Sequence, residues 1–183
     1  MIQRAQITGV VLCGGAGRRM GGCDKPLEEF AGRPLVAHVV ERLAPQVARV
    51  VISCNRNAER YARWSDAVVV DDIAGQGPLQ GLLTALERID TPFALVCPGD
   101  APRLPTSLVA DLARAWSHNN TDACVPHDGD RIQPLFMLLD VALRSVLRTY
   151  LHAGGRSVRS WIATLRTQIV EMPDATDAFT NIN

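Results

Sequence analysis

Short apolar runs rich in β-branched residues alternate with segments of helical periodicity along almost the whole chain, and few folds accept that pattern. Residues 7–13, 47–54, 67–70 and 93–97 each read as a buried strand. Between them, Pro34 opens a helical pattern carried by Leu35, Val36, Val39, Val40 and Leu43, and Pro45 closes it. Residues 57–64 read as a short helix. Leu79, Leu82, Leu83, Leu86 and Ile89 line the apolar face of a longer one. Leu108, Leu112, Ala115 and Trp116 mark another helix, and Cys124 and Val125 another strand. Residues 132–139 suggest a further strand, which Pro134 makes an edge strand or a bulged one. A helix from about 141 to 152 stops at Gly154-Gly155, a second begins near Ser157, and residues 168–171 suggest a last strand.

The alternation predicts an α/β fold: a mostly parallel central sheet with helices on both faces, in one domain of 183 residues. In such sheets ligands sit beyond the carboxyl ends of the strands, which directs attention to the residues just past Cys13, Cys54, Val70 and Cys97. Composition removes several functions. Lys+Arg and Asp+Glu balance at 19 each, so no broad nucleic-acid surface is expected. No apolar run reaches the roughly 18 residues that span a bilayer. Residues 7–13 run into a glycine–arginine loop instead of a small-residue cleavage site, which argues against a signal peptide. The cysteines (Cys13, Cys23, Cys54, Cys97, Cys124) are odd in number and form no C-x-x-C pair, so free thiols in a reducing cytoplasm are expected.

The first strand ends in LCGGAGRRMGGCDK, residues 12–25, where five of the 14 glycines fall between Gly14 and Gly22. Glycine lets backbone N–H groups close around a phosphate. Arg18, Arg19 and Lys25 add positive charge, a combination suited to a polyphosphate. Lys25 is the only lysine in a chain with 18 arginines, and it places a compact point charge where arginine's planar fork is no substitute. A Walker A loop is excluded, because no glycine precedes a lysine. The G-x-G-x-x-G spacing fails at Met20.

Asp71-Asp72 and Asp100 each follow an apolar strand, where a carboxylate either holds Mg²⁺ or caps a turn. Pro98-Gly99 makes the turn before Asp100 tight and favours the metal role there. The segment 75–81 (GQGPLQG) opens a helix with Pro78 in its first turn and suits a base or ribose, or a plain turn. Asn55-Arg56 ends the second strand and faces the crevice or caps a helix. His38 sits within a helical pattern, His118 and His152 near helix ends, and His127-Asp128-Gly129-Asp130 reads as a hairpin turn. No strong nucleophile stands out, which fits a reaction whose nucleophile is a substrate phosphate.

These residues resemble the nucleotidyltransferases of Rossmann-like fold, through the signature L-A-G-G-x-x-x-R-M-G-x-x-K. Within that group they are most similar to the molybdenum cofactor guanylyltransferases. The resemblance runs through Gly32-x-Pro34-Leu35, Asn55-Arg56, Asp71, Gly77-Pro78-Leu79-x-Gly81, Cys97-Pro98-x-Asp100, Gln133-Pro134-Leu135 and Phe179-x-Asn181-x-Asn183. It implies a single-domain three-layer α/β/α fold over residues 1–183, working in the cytoplasm. It implies attack of the molybdopterin phosphate on the α-phosphate of GTP, with Mg²⁺ as cofactor and pyrophosphate as leaving group. Leu12, Cys13, Gly14 and Gly15 would cradle the nucleotide. Lys25 and Arg19 would neutralise phosphate charge, and Asp100 would hold Mg²⁺. Ser53, Asn55, Asp71, Gly77 and Pro78 would contact the nucleotide, and Asn181 and Asn183 would lie toward the pterin or the metal. Partners would be GTP, molybdopterin and, transiently, cofactor carriers or acceptor molybdoenzymes.

Two departures stand out: Cys13 replaces the commoner alanine, and Ser53 stands where the family often has asparagine. The family pattern also continues past Asn183 with a T-P-E-type segment and a helix. A cytidylyltransferase of the same pterin and a sugar-phosphate nucleotidylyltransferase share the chemistry. A nucleotide-binding module without turnover is the alternative of another class.

Overall fold

The computed structural model describes residues 1–14, 24–71, 77–117 and 120–180. Its first strand, β1 (Ile7–Leu12), is buried along its whole length. Alternate side chains serve opposite faces, as a period of two requires. Ile7, Val11 and Cys13 enter one core, Val10 and Leu12 the other. The two-residue strands β2 (Glu29–Phe30) and β3 (Arg33–Pro34) form a small antiparallel ribbon that carries no periodicity for a sequence to display. There follow α1 (Leu35–Leu43), β4 (Arg49–Cys54), α2 (Ala58–Tyr61), β5 (Ala67–Val70), α3 (Pro78–Leu86), β6 (Phe93–Pro98) and α4 (Leu108–Ala115). The chain continues with β7 (Ala123–His127), β8 (Met137–Asp140), α5 (Arg144–His152), α6 (Val158–Ile162) and β9 (Thr167–Glu171). A run of 3₁₀ turns, Pro173–Phe179, comes last, and no periodicity in the sequence announces it.

Seven strands form one sheet in the order β5-β4-β1-β6-β8-β7-β9. All its pairings are parallel except those of β8, which runs antiparallel to both β6 and β7. One face is covered by α1 and α4, through Val36, Val39, Leu43, Leu108 and Leu112. The other is covered by α3, α5 and α6, through Leu79, Leu82, Leu86, Leu147 and the fully buried Trp161. The predicted three-layer architecture is therefore present. No helix among the described residues is long and apolar enough to cross a membrane.

The edge or bulged strand expected at residues 132–139 needs correction. Pro134 lies in a turn closed by the Phe136 N–H on the Gln133 carbonyl (3.0 Å), where a missing N–H removes no ladder bond. The strand starts only at Met137 and occupies an interior place between β6 and β7. The hairpin-like turn at residues 127–130 is present, with His127 bridged antiparallel to Ile132. Ile89 lies past the end of α3 but is still buried. Trp116 leaves the helical conformation at the end of α4 and packs edge-on against Phe93.

From β1 the chain winds to one side through β4 and β5, then crosses to the other side as β6. The carboxyl ends of β1 and β6 thus flank the point where strand order reverses, which is where the ligand crevice of such sheets lies.

Candidate active site

The ladder itself sets the mouth of the crevice. The Cys13 N–H donates to the Ser53 carbonyl at 2.7 Å, and the Gly99 N–H donates to the Leu12 carbonyl at 3.0 Å. Gly14 therefore emerges between the ends of β4 and β6. A Cβ on Gly14 would lie 2.3 Å from Asn55 Oδ1, so only glycine lets the chain pass. The Asn55 amide donates to the Asp71 carbonyl oxygen at 3.1 Å and reaches its carboxylate at 3.4 Å. Asp71 is held again by its own N–H on the Cys54 carbonyl, 2.9 Å. Three expected nucleotide residues, Gly14, Asn55 and Asp71, thus share one corner.

Lys25 and Asp100 meet across the crevice. Lys25 opens a 3₁₀ turn, Lys25–Leu27, and its Nζ lies 3.2 Å from Asp100 Oδ2. Their side chains are 27% and 16% exposed, which leaves both reachable by a ligand. Such a pair holds one positive and one negative group in place side by side.

Sequence reasoning missed what anchors Lys25. The neighbouring Asp24 side chain is 9% exposed. Its Oδ1 accepts from the fully buried Tyr61 hydroxyl at 2.8 Å, and its Oδ2 from the Asn57 amide at 2.9 Å. The Arg56 guanidinium lies 3.9 Å away. Asn57 adopts a left-handed backbone (φ 56°) and makes no side-chain cap on α2. Instead its amide ties the α2 turn to the segment that carries Lys25. Asp24 sits 33 and 37 positions from these partners, so no local spacing could have signalled the contact.

Other expected residues take different parts. Leu12 and Cys13 are buried side chains, and they bring backbone to the crevice. Burial first, then the Asp24 charge, pushes the Cys13 thiol well above its ordinary range, so it stays neutral. A Cβ on Gly99 would lie 2.5 Å from its sulfur, so the thiol packs under the Asp100 turn. Ser53 is 1% exposed, and its hydroxyl donates to the Gly81 carbonyl at 3.0 Å. It docks α3 onto β4, because alternation turns it to the α3 side of the sheet. Ser53→Ala is expected to cost about 1 kcal/mol of stability and to leave nucleotide affinity unchanged, read by paired melting and titration. Pro78 opens α3 at its first turn, preceded by Gly77 at φ 83°, ψ 179°, a conformation essentially confined to glycine.

Gly15, Arg19, Asn181 and Asn183 lie outside the described residues, as do Arg18, Cys23, Asp72, Gly75, Gln76 and His118. Two cavities show that size does not select the site. One of about 660 Å³, between α4 and the 170–178 segment, is lined by Arg42, Arg103 and Met172 and holds none of the residues above. A smaller one of about 320 Å³ adjoins Pro98, two residues before Asp100.

The donor set at Asp100 fits Mg²⁺ of a particular kind. Among the described residues no group of three or more metal-ligating side chains exists. Mg²⁺ commonly takes one or two protein carboxylates and fills its remaining positions with substrate phosphate oxygens and water. One partly exposed carboxylate beside a lysine suits an ion that arrives with a nucleotide and not a permanent cage.

A glycine turn at the end of β1, a lysine facing a carboxylate at the end of β6 and the sheet order define a nucleotidyltransferase. Residues 9–169 match the family model described as the MobA-like NTP transferase domain, and the chain belongs to that family. It is 41% identical over 180 residues to the molybdenum cofactor guanylyltransferase of Shewanella halifaxensis, covering 98% of this chain and 90% of that protein. The molybdopterin-guanine dinucleotide biosynthesis protein A of Archaeoglobus fulgidus has a similar structure (TM-score 0.78, 23% identity, 96% of this chain and 92% of that one). So does 2-C-methyl-D-erythritol 4-phosphate cytidylyltransferase from Thermus thermophilus (TM-score 0.69, 17% identity, 95% and 91%). The likeness to these structures is one of fold alone.

Proposed function

We propose that this protein transfers GMP from GTP to molybdopterin, forming the molybdopterin guanine dinucleotide and releasing pyrophosphate. In this reading residues 1–183 act as one cytoplasmic nucleotidyltransferase domain. The observation that carries it is the Lys25–Asp100 pair at the switch point, in a chain 41% identical to a guanylyltransferase.

A phosphate oxygen of molybdopterin attacks the α-phosphorus of GTP. The bond from that phosphorus to the bridging oxygen breaks, and the electron pair leaves with pyrophosphate. Such a transfer needs positioning and charge neutralisation more than a protein nucleophile. The Gly14 turn supplies backbone at the nucleotide, with Asn55 and Asp71 beside it. Lys25 turns from Asp100 to the phosphates, and Arg19 of the signature motif is assigned the same charge-neutralising role by family resemblance. Asp100 would hold Mg²⁺, and the ion would supply positive charge against the phosphates and the leaving group. Gly77 and Pro78 present the start of α3 to the base or ribose, and the pterin or the metal is assigned to Asn181 and Asn183 by family resemblance.

Thermal melting with GTP, CTP, ATP and UTP, each with and without Mg²⁺, tests the nucleotide choice. A ligand confined to the folded state adds about 2.7 kcal/mol at a hundredfold excess over Kd. The expected result is a selective shift with GTP that Mg²⁺ enlarges. A larger shift with CTP would assign the protein to cytidylyl transfer.

A further inference from the structure

The small cavity beside Pro98 contains a polar arrangement that the nucleotide corner does not use. Pro98, Arg131, Gln133, Phe136, Phe179 and Thr180 line it. Its floor is aromatic: Phe136 and Phe179 are buried and meet edge to face, with centroids 4.8 Å apart at 69°. Behind its polar side lies Asp128, a carboxylate only 4% exposed. Asp128 Oδ1 accepts from the backbone N–H groups of Asp130 (2.9 Å) and Arg131 (2.8 Å). Asp128 Oδ2 accepts from Gln133 Nε2 at 2.5 Å. The Arg131 N–H above all, then those of Asp130 and Gln133, hold the Asp128 carboxyl below the usual carboxylate range.

That last bond has a stereochemical consequence. A carboxylate has no proton to give, so the Gln133 amide must turn its NH₂ toward Asp128. The carbonyl oxygen Oε1 is then the end that remains, and no donor among the described residues takes it. Gln133 thereby presents a fixed acceptor beside an aromatic floor. Arg131, whose backbone is pinned by the same carboxylate, adds a guanidinium to the rim. The site suits a flat heterocycle with N–H groups on one edge and a carbonyl oxygen nearby. At about 320 Å³ it sits at the low end of ligand pockets, room for one fused ring system and not for a dinucleotide.

Resting on the transfer reaction above, we propose that this cavity holds the pterin of the acceptor. Gln133 Oε1 accepts from the 2-amino edge of its pyrimidinone ring, and Asp128 is the positioning residue that fixes Gln133. Pro98, which lines the cavity, ends β6 two residues before Asp100 and so ties the cavity to the Lys25–Asp100 pair along the chain.

Two kinetic readouts test this. Initial rates are measured with molybdopterin varied at saturating GTP and Mg²⁺, and with GTP varied at saturating molybdopterin. Gln133→Ala and Asp128→Asn are each expected to raise KM for molybdopterin about tenfold, the loss of one net hydrogen bond, with KM for GTP unchanged. Free pterin and lumazine, which carries oxygen in place of the 2-amino group, are then compared as inhibitors. Wild type is expected to prefer pterin, and Gln133→Ala to lose the preference. Should Asp128→Asn fail to fold, Gln133→Ala decides alone. Wild-type GMP transfer with an unchanged pterin preference and KM in Gln133→Ala overturns the cavity assignment and leaves the transfer reaction standing. A parallel rise in both KM values with a lowered melting point assigns these residues a structural role and overturns it too. No GMP transfer by wild type overturns both.

Discussion

Lys25→Ala is expected to lower the rate of GMP transfer by about 10²–10³-fold or more, the scale of removing one preorganised donor from a charge-developing transition state. The fold should persist. The Lys25–Asp100 pair is partly exposed, and partly solvated ion pairs contribute only about 0–1 kcal/mol. The melting point should therefore move little while turnover collapses, and binding of GTP without metal should weaken. Lys25→Arg is expected to restore only part of the rate, because a planar fork cannot reproduce a compact charge at one phosphate. Wild-type turnover in purified Lys25→Ala would remove Lys25 from the reaction. A chain that uses arginine 18 times and lysine once has placed that lysine opposite a carboxylate at the switch point.

Asp100→Asn should also lose transfer by about 10²–10³-fold, with the opposite signature in metal-free binding. In the proposed reaction Asp100, paired with Lys25 at 3.2 Å, would compete with phosphate for it. Removing the carboxylate charge takes one competitor for the lysine away, so GTP without Mg²⁺ should bind as well as before or better. The enhancement of binding by Mg²⁺ should disappear, since the ion loses its protein carboxylate. Calorimetric titration of both variants, with and without Mg²⁺, reads the contrast. Mg²⁺ enhancement that survives intact in Asp100→Asn would place the metal on other residues.

The layers of the fold are legible in the sequence because they rest on periodicity. Residues 67–70 read as a strand, and β5 has those bounds. Pro34 and Pro45 bracket α1 as expected, since proline is tolerated at a helix start and cannot continue its interior. Pro134 misleads for the same reason that makes it informative. It does mark a place without a ladder bond, but that place is a turn before the strand and not the strand itself. Asp100, Gly14, Asn55 and Asp71 are legible because they lie close behind strand ends, where topology brings distant segments together, and Lys25 because it is the one lysine of the chain and ends the glycine-rich motif.

What the sequence does not disclose are contacts set by tertiary packing. Nothing near Asp24 announces Tyr61 or Asn57, and the Asp128–Gln133 bond hides within a stretch that reads as an ordinary turn. Ser53 shows the converse case. Its position at a strand end suggests a ligand contact, while its side chain faces α3.

The purified protein is incubated with molybdopterin, Mg²⁺ and GTP labelled at the α-phosphate, and in parallel with CTP labelled in the same way. The label from GTP is expected to appear in a pterin-containing dinucleotide, with one pyrophosphate released per dinucleotide formed and little transfer from CTP. Transfer from CTP in preference to GTP, or no label in the pterin fraction from either nucleotide, would contradict the proposed GMP transfer.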